Sequence, residues 1–302
     1  MTLRITEGLL SRRVVSDLGR ANQIVANTSQ QVSTGRRITK PSSDSAGTER
    51  AMLLRATLAQ AKQHRDNVDD AKGWAEATDD ALGDMTNILQ RVRELTVQGG
   101  NDTLSSADRE SVALEIDQLA QQLKASGNHQ YAGQYIFGGQ KADAPPYDAN
   151  GADAYSGDSG AVVRTIGPNV SVQLNITGDT ILGDGTDGKA LATLRTIAQH
   201  LRGGTTADAD ALRTTDLIAL DAARETVTTA QAEAGALTNR LDAARSRLDD
   251  ISDSTEKARS LVEDVDITQA LTDLSSQQAV YQAALKSSSL VLQSTSLMDF
   301  LK

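Results

Sequence analysis

From Ala223 to Val262 apolar residues recur at alternating steps of four and three without a break: Ala223, Val227, Ala230, Ala234, Leu237, Leu241, Ala244, Leu248, Ile251, Thr255, Ala258 and Val262. Eleven of these twelve are apolar. A rhythm sustained this far is a coiled-coil seam rather than the face of an ordinary amphipathic helix. At ~1.5 Å per residue the helix would run about 60 Å. A second seam passes through Thr78, Ala81, Met85, Ile88, Val92 and Leu95 and stops at Gly99-Gly100. A third, Val112, Ile116, Leu119 and Leu123, follows Ser105 and Asp108, a helix-capping pair spaced by three. A fourth opens the chain with Val14, Leu18, Ala21, Val25, Thr28 and Val32 and stops at Gly35. Four seams predict a mainly α chain, a long antiparallel bundle or coiled-coil rod formed by its N- and C-terminal parts.

Composition agrees. Aromatics are only 3% of 302 residues and alanine leads the apolar set, a mix suited to long, closely spaced helices. The net charge of -10 argues against nucleic acid or an anionic membrane as partner, since both attract basic surfaces. No cysteine is present, which excludes disulfides and thiolate chemistry. No apolar run approaches the ~20 residues of a membrane span, and the N-terminus lacks the apolar core of a cleavable signal peptide.

The middle differs. Residues 141–190 hold eight of the 23 glycines and three of the four prolines, so helices are not expected there. Val170, Val172, Leu174 and Ile176 alternate with polar residues, a period-two strand between Pro168 and Gly178, and Ala161–Ile166 is its expected partner. The expected organisation is an N-terminal assembly helix (1–40), rod helices (41–140), a small inserted β-rich head (141–190), returning rod helices (191–262) and a C-terminal assembly helix (263–302).

Two stretches imitate ligand sites. Gly183–Ala190, "GDGTDGKA", has the glycine and lysine spacing of a phosphate-binding loop. That chemistry needs a Ser or Thr after Lys189 for magnesium, where Ala190 stands, and Asp184 and Asp187 would repel phosphate. A glycine-rich turn into the next helix is the better reading. Asp148, Asn150 and Asp153 lack the glycine and distal glutamate of a calcium loop. His64, His129 and His200 lie far apart, without metal-ligand spacing. Carboxylates such as Asp242 and Asp249 alternate with Arg240 and Arg245, as on a solvated bundle face. No catalytic, cofactor or metal site is expected, and no enzyme.

The terminal segments are short of charge. Thirteen of forty residues are charged from Ala223 to Val262, but four of thirty-six from Ile267 to Lys302 and none from Ala21 to Thr34. The heptad spacing nevertheless continues through Ile267, Leu271, Leu274, Gln278, Tyr281, Leu285, Ser288 and Leu292. A lone helix with one stripe is marginal, because ordering costs roughly 1–2 kcal/mol per residue. Val14, Leu18, Val25 and Val32 with Leu271, Leu274, Tyr281, Leu285 and Leu292 are therefore the expected assembly interface, covered by the opposite terminal helix and by neighbouring copies.

Several stretches carry a resemblance. "QQVSTGRRITKPSSDSAG" (Gln30–Gly47), "LQRVRELTVQGGN" (Leu89–Asn101), "YIFGG" (Tyr135–Gly139), "ALTNRLDAARSRLDDI" (Ala236–Ile251) and the closing "SLMDFLK" resemble the bacterial flagellin family over about residues 1–140 and 205–302. The resemblance implies a structural subunit of the flagellum, exported unfolded through its type III apparatus without a cleaved signal. "VDDAKGWAEATDD" (Val68–Asp80), replacing a run typical of filament subunits, favours the hook–filament junction; the filament subunit is the near alternative. Implied partners are other copies of the chain, a neighbouring hook-associated junction protein, flagellin and an export chaperone. Arg91, Leu95 and Glu115 match positions that an innate-immune receptor reads in flagellins. Beside this family reading stand a secreted coiled-coil scaffold or adhesin and a nucleotide-binding enzyme using Lys189.

Overall fold

The computed structural model describes the backbone of residues 7–101, 103–149 and 151–299, and side-chain exposure from residue 12 to residue 290 apart from 102 and 150. Long helices dominate it: α1 (Glu7–Thr34), α2 (Ser45–Gly99), α3 (Ser106–Gly127), α7 (Thr215–Glu263) and α8 (Ile267–Asp299). Between them lie hairpin β1–β2 (Gln130–Tyr131, Gln134–Tyr135), hairpin β3–β4 (Val163–Gly167, Val170–Gln173) and helices α4 (Gly178–Ile181), α5 (Ala190–Gly203) and α6 (Thr206–Arg213). Backbone contacts divide the chain into two units, residues 1–60 with 251–302, and residues 61–250.

The second unit is built on seams. One buried row of α2 is Val68, Ala71, Ala75, Thr78, Leu82, Met85, Leu89 and Val92, stepping by three and four, with Trp74, Ala81 and Leu95 buried beside it. On α7 they are Leu220, Ala223, Val227, Ala230, Ala234, Leu241 and Leu248, with Leu237 and Ala244 packed against the same core. Four of these nine positions on α7 are alanine, which leaves room for the bulkier α2 side chains. Ion pairs flank the seam: Arg93 with Asp221 at 2.9 Å, Lys72 with Asp242 at 2.7 Å, Arg65 with Asp249 at 3.5 Å, and Arg245 with Asp69. Partners descend in number on α7 as they rise on α2, so the helices run antiparallel. The carboxylates expected on a solvated face are these rim pairs, and each exposed pair contributes little.

Helix α3 starts where the capping pair predicts. The Asp108 N–H donates to Ser105 Oγ and the Asp108 carboxylate accepts the Ser105 N–H, both at 3.2 Å. Val112, Ile116, Leu119 and Leu123 are buried, and α3 packs on α5, whose Leu191, Leu194, Ile197 and Leu201 face the same core. Fully burying a side chain of this size is worth roughly 1.5–3 kcal/mol.

Two expectations for the middle need correction. The strand from Val170 ends at Gln173, short of Ile176. Pairing does continue to the Leu174 N–H, which donates to the Val162 carbonyl at 2.9 Å. The Asn175 side chain then replaces the ladder: its Oδ1 accepts the Val162 N–H at 2.7 Å and its Nδ2 donates to the Gly160 carbonyl at 2.8 Å. Most of residues 141–190 is consequently turn and loop around one hairpin. Hairpin β1–β2, placed within a helical region by the sequence reading, turns at Ala132 and Gly133, with φ of 50° and 82°. It leads into "YIFGG", where Ile136 and Phe137 are buried and Gly139 has φ 72°. A Cβ at Gly139 would lie 2.1 Å from the Asp158 carbonyl oxygen, so the motif admits no side chain there. Tyr147, Ile181 and Leu182 join these two residues in the core that α2, α3 and α5 share.

Candidate assembly surface

The first unit carries the terminal helices. On α1 the buried and half-buried residues are Val14, Leu18, Ala21, Val25, Thr28 and Val32, the stripe expected from the spacing, with Gln31 beside it. Helix α8 packs on α1, and the Val265 N–H donates to the Gly35 carbonyl at 3.0 Å, so the end of α1 meets the start of α8 and the two run antiparallel.

The stripe of α8 that loses solvent differs from expectation. It runs through Ala270, Leu274, Gln277, Tyr281, Ala284 and Ser288. Leu274, Tyr281 and Ser288 hold their expected places, whereas Ala270, Gln277 and Ala284 take the steps assigned to Leu271, Gln278 and Leu285. Ala270 is buried and Ala284 half-buried, whereas the leucines one position on lie on a shoulder. Leu271 is 50% exposed and Leu285 44% exposed, and Ile267 lies on the same shoulder. Fourteen residues separate Leu271 from Leu285, about four helical turns, so these side chains align. Val280 and Leu290 on α8, and Val15 and Ile24 on α1, are also exposed. The side chain of Leu292 lies outside the described residues. A chain that exposes this many large apolar groups on paired helices presents a surface suited to further helices.

The other singled-out residues have internal partners. Arg91 is paired with Glu115, Nε and one terminal guanidinium nitrogen lying 3.0 and 2.7 Å from Oε1, and with Glu94 at 3.2 Å. These hydrogen bonds raise the Arg91 pKa further. Leu95 is only 2% exposed and belongs to the core, so Arg91 and Glu115 share the surface without it. Lys189 precedes α5, with Nζ 2.7 Å from the Asp179 carbonyl oxygen and 3.0 Å from an Asp187 carboxylate oxygen. It is held by its own loop. Asp153 is ion-paired with Lys124 and Arg195, and His200 Nδ1 lies 2.7 Å from Asp216. Among the described residues no cluster of three His, Asp or Glu could hold a metal, and no helix is long and apolar enough to cross a membrane. Sequence reasoning missed Lys124 and Glu263, both buried charges; a single Lys or Glu inside a helical repeat carries no signal of what it meets.

Known proteins resemble the chain in the same regions. Residues 9–142 match the model of the bacterial flagellin N-terminal helical region, and residues 217–301 that of the bacterial flagellin C-terminal helical region. The flagellar filament 30.7 kDa core protein of Treponema maltophilum is 25% identical over 275 residues, 89% of this chain and 88% of that protein. Flagellar hook-associated protein 3 of Escherichia coli is 27% identical over 277 residues, 85% of this chain and 87% of that protein. Among solved structures, flagellar hook associated protein-3 of Legionella pneumophila superposes with a TM-score of 0.61 at 18% identity, covering 68% of this chain and 97% of that one. Bacillus cereus FlgL gives 0.59 at 21% identity, covering 69% and 99%. With both helical regions matched in order and the fold shared, the chain belongs to the bacterial flagellin family.

Proposed function

We propose that this chain is a structural subunit of the bacterial flagellum that joins hook to filament by axial packing of α1 and α8 with neighbouring copies. One observation carries the reading: the two terminal helices pack along a narrow, mostly half-buried stripe and leave Leu271, Leu285 and their neighbours exposed. Repeated around a closed or helical ring, the same shoulder would meet the same complement at every subunit. Residues 1–40 and 263–302 are the assembly segments in this reading. The neighbours are further copies, an adjoining hook-associated protein and flagellin. Export proceeds through the flagellar apparatus with a chaperone on the C-terminal helix, without a cleaved signal.

The likeness to a filament core protein favours a second reading, the filament subunit itself. Addition of purified chain to isolated hooks separates the two. A junction subunit caps hook ends in a layer of fixed length and then supports flagellin growth. A filament subunit elongates without limit, and a chain that does neither refutes both readings.

A further inference from the structure

The segments that lead out of α1 and into α8 are stitched together. Arg36 and Asp264 form an isolated antiparallel bridge. The Arg37 N–H donates to the Glu263 carbonyl at 2.7 Å, and the Val265 N–H donates to the Gly35 carbonyl at 3.0 Å. Arg37 also reaches across to the Val262 carbonyl oxygen at 2.7 Å and to the Asp44 carboxylate at 3.2 Å. Asp44 in turn accepts the Gly47 N–H at 2.8 Å at the start of α2. Beside this bridge sits the carboxylate of Glu263, whose side chain is 5% exposed. It is ion-paired with Arg36, whose Nε lies 3.3 Å away, and accepts a hydrogen bond from a guanidinium nitrogen of Arg55 on α2.

One carboxylate thus collects the linker after α1, the first part of α2 and the last turn of α7. Taking a carboxylate out of water is costly, and its attraction to the two arginines roughly offsets that cost rather than adding stability. What such a group supplies is direction, because its oxygens accept only from donors placed at defined angles. The pair α1–α8 needs that supply: its own stripe is mostly half-buried, and two linkers tie it to α2 and α7.

We propose that Glu263 is the positioning residue of the terminal helix pair. It sets the direction in which α1 and α8 leave the ends of α2 and α7, so that a subunit meets its neighbours with the pair already aimed. Preorganisation of this kind raises the rate and strength of association without adding a contact to the interface. The inference rests on the terminal pair being the assembly element, but the clasp itself is measured on the isolated chain.

The chain has no native cysteine, so Asn22→Cys with Ala56→Cys places two spin labels on exposed positions of α1 and α2. The parent should give a narrow distance distribution. Glu263→Gln, and separately Arg55→Ala, should broaden it at least about twofold. In Glu263→Gln the Arg37 and Val265 amides should exchange about tenfold faster or more, while amides of α3 and α5 keep their protection, which general destabilisation would not allow. A distribution that stays narrow in Glu263→Gln, or one already broad in the parent, overturns the proposal. Joining of hook ends should slow about tenfold in Glu263→Gln, as expected when an aimed subunit becomes a tethered one; an unchanged rate overturns the link to assembly. If the parent itself fails to join hooks, the function proposed above falls, and the label distances still decide the clasp.

Discussion

Lys124 and Asp153 form an ion pair almost closed off from solvent: Nζ lies 3.2 Å from Oδ1, with the side chains 1% and 8% exposed. Lys124 also donates to the carbonyls of Asp148 at 3.1 Å and Gly151 at 3.2 Å, and Arg195 spans both carboxylate oxygens, at 2.5 Å from Oδ2 and 2.9 Å from Oδ1. The pair pins Asp148, Gly151 and Asp153 onto α3 and α5. Asp153→Ala leaves a buried ammonium without its counter-charge and should cost about 3–5 kcal/mol. Lys124→Met removes the charge along with its need for a partner, while Arg195 remains on Asp153, so its cost should be clearly smaller. Denaturant titration of both variants checks the order.

The same carboxylate makes a pH prediction. Burial raises the Asp153 pKa, but hydrogen bonds from Arg195 and Lys124 outweigh it and the net shift is downward. A carboxyl held lower in the folded state contributes stability above its unfolded value of about 4, and that contribution disappears as pH falls through the folded value. Stability should therefore drop below about pH 4 in the parent, and the drop should be shallower in Asp153→Asn. Thermal melts across that range measure it.

Two glycines in long helices should respond to alanine in opposite directions. A Cβ at Gly235 in α7 would meet nothing within 4 Å, so Gly235→Ala should stabilise by roughly 0.5–1 kcal/mol through helix propensity. At Gly73 in α2 a Cβ would lie 2.2 Å from the Tyr131 hydroxyl. That tyrosine sits edge-on to buried Trp74, with ring centroids 6.2 Å apart. Gly73→Ala should displace Tyr131 and destabilise, by roughly 1–3 kcal/mol for an overpacked contact. Melting temperatures moving in the same direction would refute the packing account.

Leu285 and Leu248 separate assembly from folding. Leu285→Asp places a carboxylate on the exposed shoulder of α8, so the melting temperature of the isolated chain should hardly move. Hook joining should fail, since each subunit would bury an unpaired charge in place of an apolar contact worth about 1.5–3 kcal/mol. Leu248→Asp, at a buried seam position, should unfold the second unit. Normal filaments on cells that export Leu285→Asp would sink the assembly role of α8.

Lys189 should be indifferent to nucleotide. Its ammonium is already held by Asp179 and Asp187, and both carboxylates would repel phosphate. Calorimetry with ATP and magnesium should give no heat of binding, and Lys189→Ala should leave motility intact. A micromolar affinity lost in that variant would be incompatible with this account.

Periodicity made much of the molecule legible. The seams of α2, α3 and α7, the Ser105 cap and the stripe of α1 follow from local spacing, because a helix repeats every 3.6 residues whatever it packs on. Other features depend on which surfaces meet. On α8 both Leu271 and Ala270 fit a seam, and only packing against α1 decides that Ala270, Gln277 and Ala284 lose solvent while Leu271 and Leu285 stay on the shoulder. The strand after Val170 stops where Asn175 turns its side chain into the ladder, a choice no alternation pattern encodes. Glu263 and Lys124 look like any solvated helix charges until residues more than twenty positions away close over them. Sequence alone determined the elements and their apolar faces, since those depend on neighbours along the chain. Tertiary structure decided which faces remain open and which charges are buried, since burial is a property of distant segments brought together.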